Sequence, residues 1–423
     1  MKFNKKPGLT AREIELLSLL GLVALIVVSV LIGANIGLGR IVPGGGGFFV
    51  AWKASSGFLF DHIEPYSGMI AGQVQQLVYG RVAQAGENPY ILTMPFFLLP
   101  VYFPLALISD PAIARGLWMF ISEAALLATA WLSLRLIEWE PRRPFLIVFF
   151  LLSIFSFYSA VSMFEGSPAA VLALLYFGIL WTYYSEQDEL AGALLVFTLF
   201  KWEIGSLFLL LIFWRIFSEK RWRVLAGFGM TLFVLLSISF LVYPGGNWIF
   251  PMLTALLAII RSDFGITTAA IFARLWPDYG TRLTQIVTTV TVVVLFYEWY
   301  KAHHANFRRF IWVACLTLAA TPLIGFRTEM SNLVVLFPGL ALIFAAAVER
   351  WRIGYWLSGL LLFIVFIIPW SLFARAYVLG SMRAQDLLFL FYPIFVITGL
   401  YWTRWWFLRP PRTWLDHVRS LRN

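Results

Sequence analysis

The chain has 423 residues, of which 61% are hydrophobic, 18% aromatic and 13% charged, with a net charge of +10. Soluble domains average about 25% charged residues, so this composition excludes a soluble globular enzyme and points to an integral membrane protein. The basic residues sit in short clusters between apolar runs, which positive-inside topology explains better than nucleic-acid binding does, and the lone Cys315 excludes an intrachain disulfide.

A helix rises about 1.5 Å per residue and the hydrocarbon layer is about 30 Å thick, so about 20 apolar residues span it. Every backbone polar group in that layer must be satisfied within the chain, and these runs are too long and too continuously apolar for barrel strands. The expected fold is therefore an all-α polytopic membrane protein, one domain over residues 1–423 with about 12 transmembrane helices.

In chain order, Lys2, Lys5, Lys6 and Arg12 precede the first run, Leu16 to Leu38. This predicts a cytoplasmic N-terminus and a retained anchor rather than a cleaved signal. Residues 39–111 then form a long first extracytoplasmic loop, which ends in the apolar stretch Met94 to Ile108 with Pro95, Pro100 and Pro104. Three prolines interrupt helical hydrogen bonding, so that stretch is expected to be juxtamembrane rather than spanning. Further spans are expected near 112–137, 145–162, 168–184, 190–200, 204–217, 224–243, 283–300, 310–326, 332–348, 353–373 and 386–403. A second extracytoplasmic segment, 243–282, contains an interfacial apolar piece, Phe250 to Ile260, and a basic, aromatic cytoplasmic tail, 404–423, suits anionic headgroups. Both termini then lie inside, together with most of the 32 Lys and Arg residues.

Several residues carry chemistry in this arrangement. Asp61, His62 and Glu64 stand together in the first loop, where a carboxylate can act as general base toward a hydroxyl and His62 can tune it, although solvation of a loop is an equally simple role. The run Gly44 to Gly47 gives backbone freedom before Phe48 but fits no nucleotide fingerprint. Lys201, isolated between two short apolar helices, needs an anionic partner, either Glu203 or a lipid phosphate. Arg261, Arg274, Arg282 and Arg327 fall on the outer side against the positive-inside trend and would attract phosphate, and Glu165 is an outward carboxylate. His303, His304 and Glu298 lie on the inner side and make a poor metal site, so no metal is expected.

The order of parts resembles the GT-C superfamily of membrane glycosyltransferases, in particular its bacterial, polyprenyl-phosphate-sugar-dependent, mannosyltransferase-like branch. Gly44 through Phe48, Trp52, Pro65-Tyr66-Ser67, Gln75 to Arg81 and Pro95 to Pro104 resemble the branch's first outward loop and its proline-rich juxtamembrane piece. Ala191-Gly192 through Lys201 to Arg223 resembles its short helix pair, and Thr321-Pro322 to Pro338 its later paired spans. The chain departs from the family where an Asp is usual before Phe48 and Gly47 stands instead, and where Trp202 and Glu203 replace a usual Pro and Gln.

The resemblance implies a GT-C-like bundle that takes a sugar, mannose in that branch, from a polyprenyl-phosphate donor and passes it to an acceptor hydroxyl at the outer face of a bacterial cytoplasmic membrane. No further cofactor is implied. On this reading Asp61 or Glu64 serves as base; Lys201, Glu203, His62, Glu165, Arg261, Arg274 and Arg327 bind substrate, and Trp52, Tyr66 and Tyr90 stack on sugar faces. The expected partners are membrane lipid and the lipid-linked sugar, with the acceptor and any complex subunits open. The rival class is a catalytically degenerate homologue that binds lipid or scaffolds a membrane complex.

Overall fold

The computed structural model describes residues 11–262 and 264–408; the N-terminal lysines and the tail from position 409 lie outside the described residues. After α1 (Ala11–Ile41), the first loop folds into α2 (Gly46–Phe60), α3 (Gly68–Tyr79), a 3-10 turn over Phe96–Tyr102 and α4 (Phe103–Ala106). The bundle continues with α5 (Pro111–Leu136), α6 (Arg143–Phe155), α7 (Phe157–Glu165), α8 (Ala169–Tyr184), α9 (Asp188–Val196), α10 (Trp202–Glu219) and α11 (Trp222–Val242). Two short helices, α12 (Ile249–Arg261) and α13 (Thr268–Leu275), precede α14 (Gly280–Ala302), α15 (Phe307–Ala320), α16 (Phe337–Arg350), α17 (Gly354–Leu379) and α18 (Met382–Leu408). The fold is all-α, as expected for a chain whose backbone must satisfy itself in lipid.

Among the described residues, 7 helices are long and apolar enough to cross a membrane, or 8 if α6 and α7, bent by 40° at their junction, count as one span. The expected count of about twelve is not reached by this measure. The other four expected spans are α8, α9, α10 and α15, of 16, 9, 18 and 14 residues, with Glu203, Arg215 and Glu219 inside α10. The proline-rich stretch is a short apolar helix over Phe96–Ala106, about half the length a straight span needs.

Two packing devices position the site. Gly192 of α9 and Gly227 of α11 let these helices cross backbone against backbone: a Cβ on Gly192 would run into the Val224 carbonyl, and one on Gly227 into that of Glu189. The first loop seats its aromatic face on the end of α11, where Phe96 meets Tyr243 with ring centroids 5.0 Å apart and Phe97 meets Trp248 at 5.8 Å. These aromatic contacts close a second apolar core separate from that of the bundle.

The two ends of the bundle differ in charge. At one end Arg215 donates to the carbonyls of Ala302 and Ala305, Arg404 forks onto Glu298 at 2.8 and 3.0 Å, and Arg221 pairs with Asp188. Lys201 and the first loop lie at the opposite end of α10, about 27 Å away at helical rise.

Candidate functional site

Where α7 ends, Gly166 adopts φ 71°, and its amide and that of Ser167 donate back to Met163 and Ser162, closing the helix. A side chain at position 166 would strike the backbone of Phe48, so glycine brings α2 and α7 into contact here. Arg115, buried in α5, fixes the same junction: its guanidinium donates to the carbonyls of Val42 at 2.7 Å, Phe164 at 2.8 Å and Gly39 at 3.1 Å. The Gly45 amide also donates to Phe164, at 2.7 Å. The start of α2 is thereby clamped beside Glu165, with a Cβ on Gly47 falling 3.0 Å from the Glu165 carbonyl.

This junction borders a cavity of about 450 Å³. Its polar side is formed by Gly47, Asn88, Tyr90, Lys201, Glu203, Thr328 and Glu329, and its apolar side by Leu256, Ile259 and Ile260 of α12 with Phe264. An apolar wall facing a few convergent polar groups is the ordinary build of a small-molecule site.

Lys201 is the hub. Its Nζ lies 2.7 Å from Glu329, 2.8 Å from the Asn332 side-chain oxygen and 3.9 Å from Glu203. Asn332 in turn receives the Ser167 hydroxyl at 3.4 Å and donates to Thr328 at 2.9 Å. Asn88 donates to Glu329 at 3.2 Å and orients Tyr90, whose amide it accepts at 2.9 Å. Burial alone would lower the Lys201 pKa, but Glu329 and Glu203 outweigh it and hold the ammonium above its usual range. Glu165 is exposed and lies within electrostatic reach of Glu329 and Lys201, next to the cavity rather than in its lining. Burial, then the hydrogen bond with Tyr79, then Glu165 and Glu329 raise the Tyr90 phenol, so it stays a neutral donor.

Arg327 lines the cavity while its guanidinium donates to the carbonyls of Ser262 and Ile259, tying the end of α12 to the 326–329 segment. The pairing of Ile266 with Thr328, at 3.0 Å in both directions, fastens the same strip.

Of the residues singled out from sequence, Lys201, Glu203, Tyr90 and Arg327 line this cavity, and Glu165 stands beside it, its carbonyl against the lining residue Gly47. The remaining ones lie elsewhere. Asp61, His62 and Glu64 are exposed at the end of α2, and Glu64 accepts from Tyr243 at 2.6 Å; none of the three lines the cavity. Trp52 and Tyr66 are buried, with their polar tips committed to the carbonyls of Leu105 at 3.1 Å and Met94 at 2.8 Å. Arg261 is exposed at the end of α12, and Arg274 pairs with Asp386 of α18. No group of three or more His, Cys, Asp or Glu side chains able to hold a metal occurs among the described residues.

Sequence reasoning missed Glu329, Asn332 and Asn88. A signal existed for the first two: Glu329 stands at the mouth of an apolar run and Asn332 inside it, where a polar side chain calls for a partner.

The fold and site describe an integral membrane protein with an ion-paired cavity at one end of its helices. The profile of Glycosyltransferase family 87 matches residues 93–324, more than half of the chain, and the chain belongs to this family. The match includes Glu165, Lys201 and Glu203 and excludes Asp61 and Glu64. Family membership carries with it a membrane glycosyltransferase working with a lipid-linked sugar donor. Neither the curated proteins nor the solved structures give a match.

Proposed function

We propose that the chain transfers a sugar, mannose being the first choice, from a polyprenyl-phosphate donor to an acceptor hydroxyl in the Lys201 cavity. The observation that carries this reading is the half-buried lysine hub paired with Glu203 and Glu329, with Glu165 in electrostatic reach, beside an apolar wall. The donor phosphate lies against Lys201 and Arg327, and the first isoprene units against α12. Glu203 and Glu329 hold Lys201 charged. Glu165 remains for the acceptor: it takes the hydroxyl proton as the acceptor oxygen attacks the anomeric carbon. The bond from that carbon to the phosphate oxygen breaks, and lipid phosphate leaves with its charge stabilised by Lys201 and Arg327. A single displacement of this kind inverts the anomeric carbon. No nucleotide or other cofactor takes part.

Glu165 here takes the role expected of an acid at position 47, from a neighbouring backbone. The arginine-dense end of the bundle supports a cytoplasmic face opposite the cavity, with both termini on that side and the cavity open to the outside of a bacterial cytoplasmic membrane.

Transfer from a labelled polyprenyl-phosphate mannose in proteoliposomes tests the assignment. Glu165→Gln should lose about 10²- to 10⁴-fold in rate, the usual worth of a general base. Activity unaffected by Glu165→Gln but abolished by Asp61→Asn or Glu64→Gln would return the base to the first loop.

A further inference from the structure

A second cavity, about 810 Å³ and almost wholly apolar, opens between α13, α17 and α18, lined by Phe272, Trp276, Leu361, Phe391, Ile394 and Trp402. It is too poor in polar groups for sugar chemistry, yet two exposed arginines, Arg375 and Arg383, stand within a helical turn of its lining residues. Leu372 and Leu387 line it, and Arg375 and Arg383 stand three and four residues from them on α17 and α18, so both arginines share the lining face. Arg274 adjoins Leu275 and is already held by Asp386, with Nε and Nη2 at 3.1 and 2.5 Å. That carboxylate is thereby taken, and the charges of the exposed Arg375 and Arg383 are left to face the headgroup layer. They also lie at the opposite end of α17 from Arg350 and Arg352, against the positive-inside trend.

We infer that this groove is a binding site for one anionic glycerophospholipid, its acyl chain between α17 and α18 and its phosphate on Arg375 and Arg383. Charge complementarity selects an anionic headgroup over a zwitterionic one. The site also touches the transfer cavity through one rigid element: Thr267, the N-cap of α13, lines the first cavity, and Leu275 and Trp276 at its other end line the groove. At helical rise the 8 residues of α13 separate them by about 12 Å. A lipid seated in the groove therefore braces the strip that carries Arg327 and Glu329.

Native mass spectrometry of the full-length protein, titrated with phosphatidylglycerol, phosphatidylcholine or a polyprenyl phosphate, tests this. Phosphatidylglycerol should bind tighter than phosphatidylcholine, by about fivefold for each arginine that engages it. Arg375→Gln/Arg383→Gln should erase that preference, Leu361→Trp should weaken both phospholipids by filling the groove, and Arg375→Lys/Arg383→Lys should retain it. Lys201→Met should leave phosphatidylglycerol binding unchanged, which separates this site from the transfer cavity. No headgroup preference in the parent, a preference that survives the glutamine pair, binding of both phospholipids unaffected by Leu361→Trp, or displacement of phosphatidylglycerol by the polyprenyl phosphate would overturn the assignment.

Discussion

Replacing Lys201 with Met removes the cation from a hub whose partners have little water: the lysine side chain is 16% exposed, Glu203 18% and Glu329 28%. Removing one partner of a buried ion pair usually costs about 3–5 kcal/mol, because the other charge stays behind unpaired. Solvent in the cavity reaches both carboxylates, so we expect about 2–3 kcal/mol here. Most of that is the penalty of the stranded Glu329 rather than the worth of the contact. Lys201→Met/Glu329→Gln should accordingly recover at least half of the lost stability, as a double-mutant cycle isolates. Activity should not follow stability. Both variants lack the cation facing the leaving phosphate, and losing one such donor typically lowers kcat by about 10²- to 10³-fold. Thermal unfolding in detergent, run alongside transfer kinetics in proteoliposomes, reads the two effects separately. The reasoning is refuted if the double variant is no more stable than Lys201→Met, or if Lys201→Met keeps kcat/KM within about threefold of the parent.

Arg115→Lys cannot span the carbonyls of Gly39, Val42 and Phe164 with one ammonium, so it should cost about 1–3 kcal/mol and lower transfer by loosening the α2–α7 junction, as unfolding and kinetics will report. Gly46→Ala drives a methyl into the Tyr90 ring; about 1–3 kcal/mol should be lost, and Gly46→Ala/Tyr90→Ala should regain part of it in the same melts. Gly192→Ala should separate α9 from α11 and destabilise strongly, whereas Gly178→Ala, with open space around its Cβ, should be neutral or stabilising by up to about 1 kcal/mol. The raised Lys201 pKa makes a pH prediction: the pairing is fully present below the unfolded-lysine value of about 10.4 and is lost only as pH rises through the higher folded value. Binding of a donor analogue, measured by fluorescence titration, should therefore hold level to about pH 10, and a fall centred near pH 8 would contradict it.

Much of the fold was legible because the apolar runs carry it directly: each expected span corresponds to a helix or a helix pair, and the Pro95–Pro104 stretch is short as its prolines require. The span count was harder to read, since α8, α9 and α15 are too short to satisfy a length rule and α10 is too charged. Lys201 stood out because a lone cation between apolar helices must have a partner. Its main partner, Glu329, is 128 residues away in sequence, and no local pattern links the two. Asp61 and Glu64 drew attention as close carboxylates in a loop, but local crowding of charge says nothing of depth. Glu165 was legible as an outward carboxylate among the substrate-binding residues, but not its place against α2, which the packing of Gly166 on Phe48 sets.

The most direct test is a cryo-electron microscopy map of the protein in nanodiscs with a non-transferable polyprenyl-phosphate sugar analogue. Phosphate density should contact Lys201 Nζ, with the sugar between Tyr90 and Glu165 and the lipid chain running along α12. Density for the phosphate on the Asp61–Glu64 loop, with the Lys201 cavity filled only by water, would contradict it.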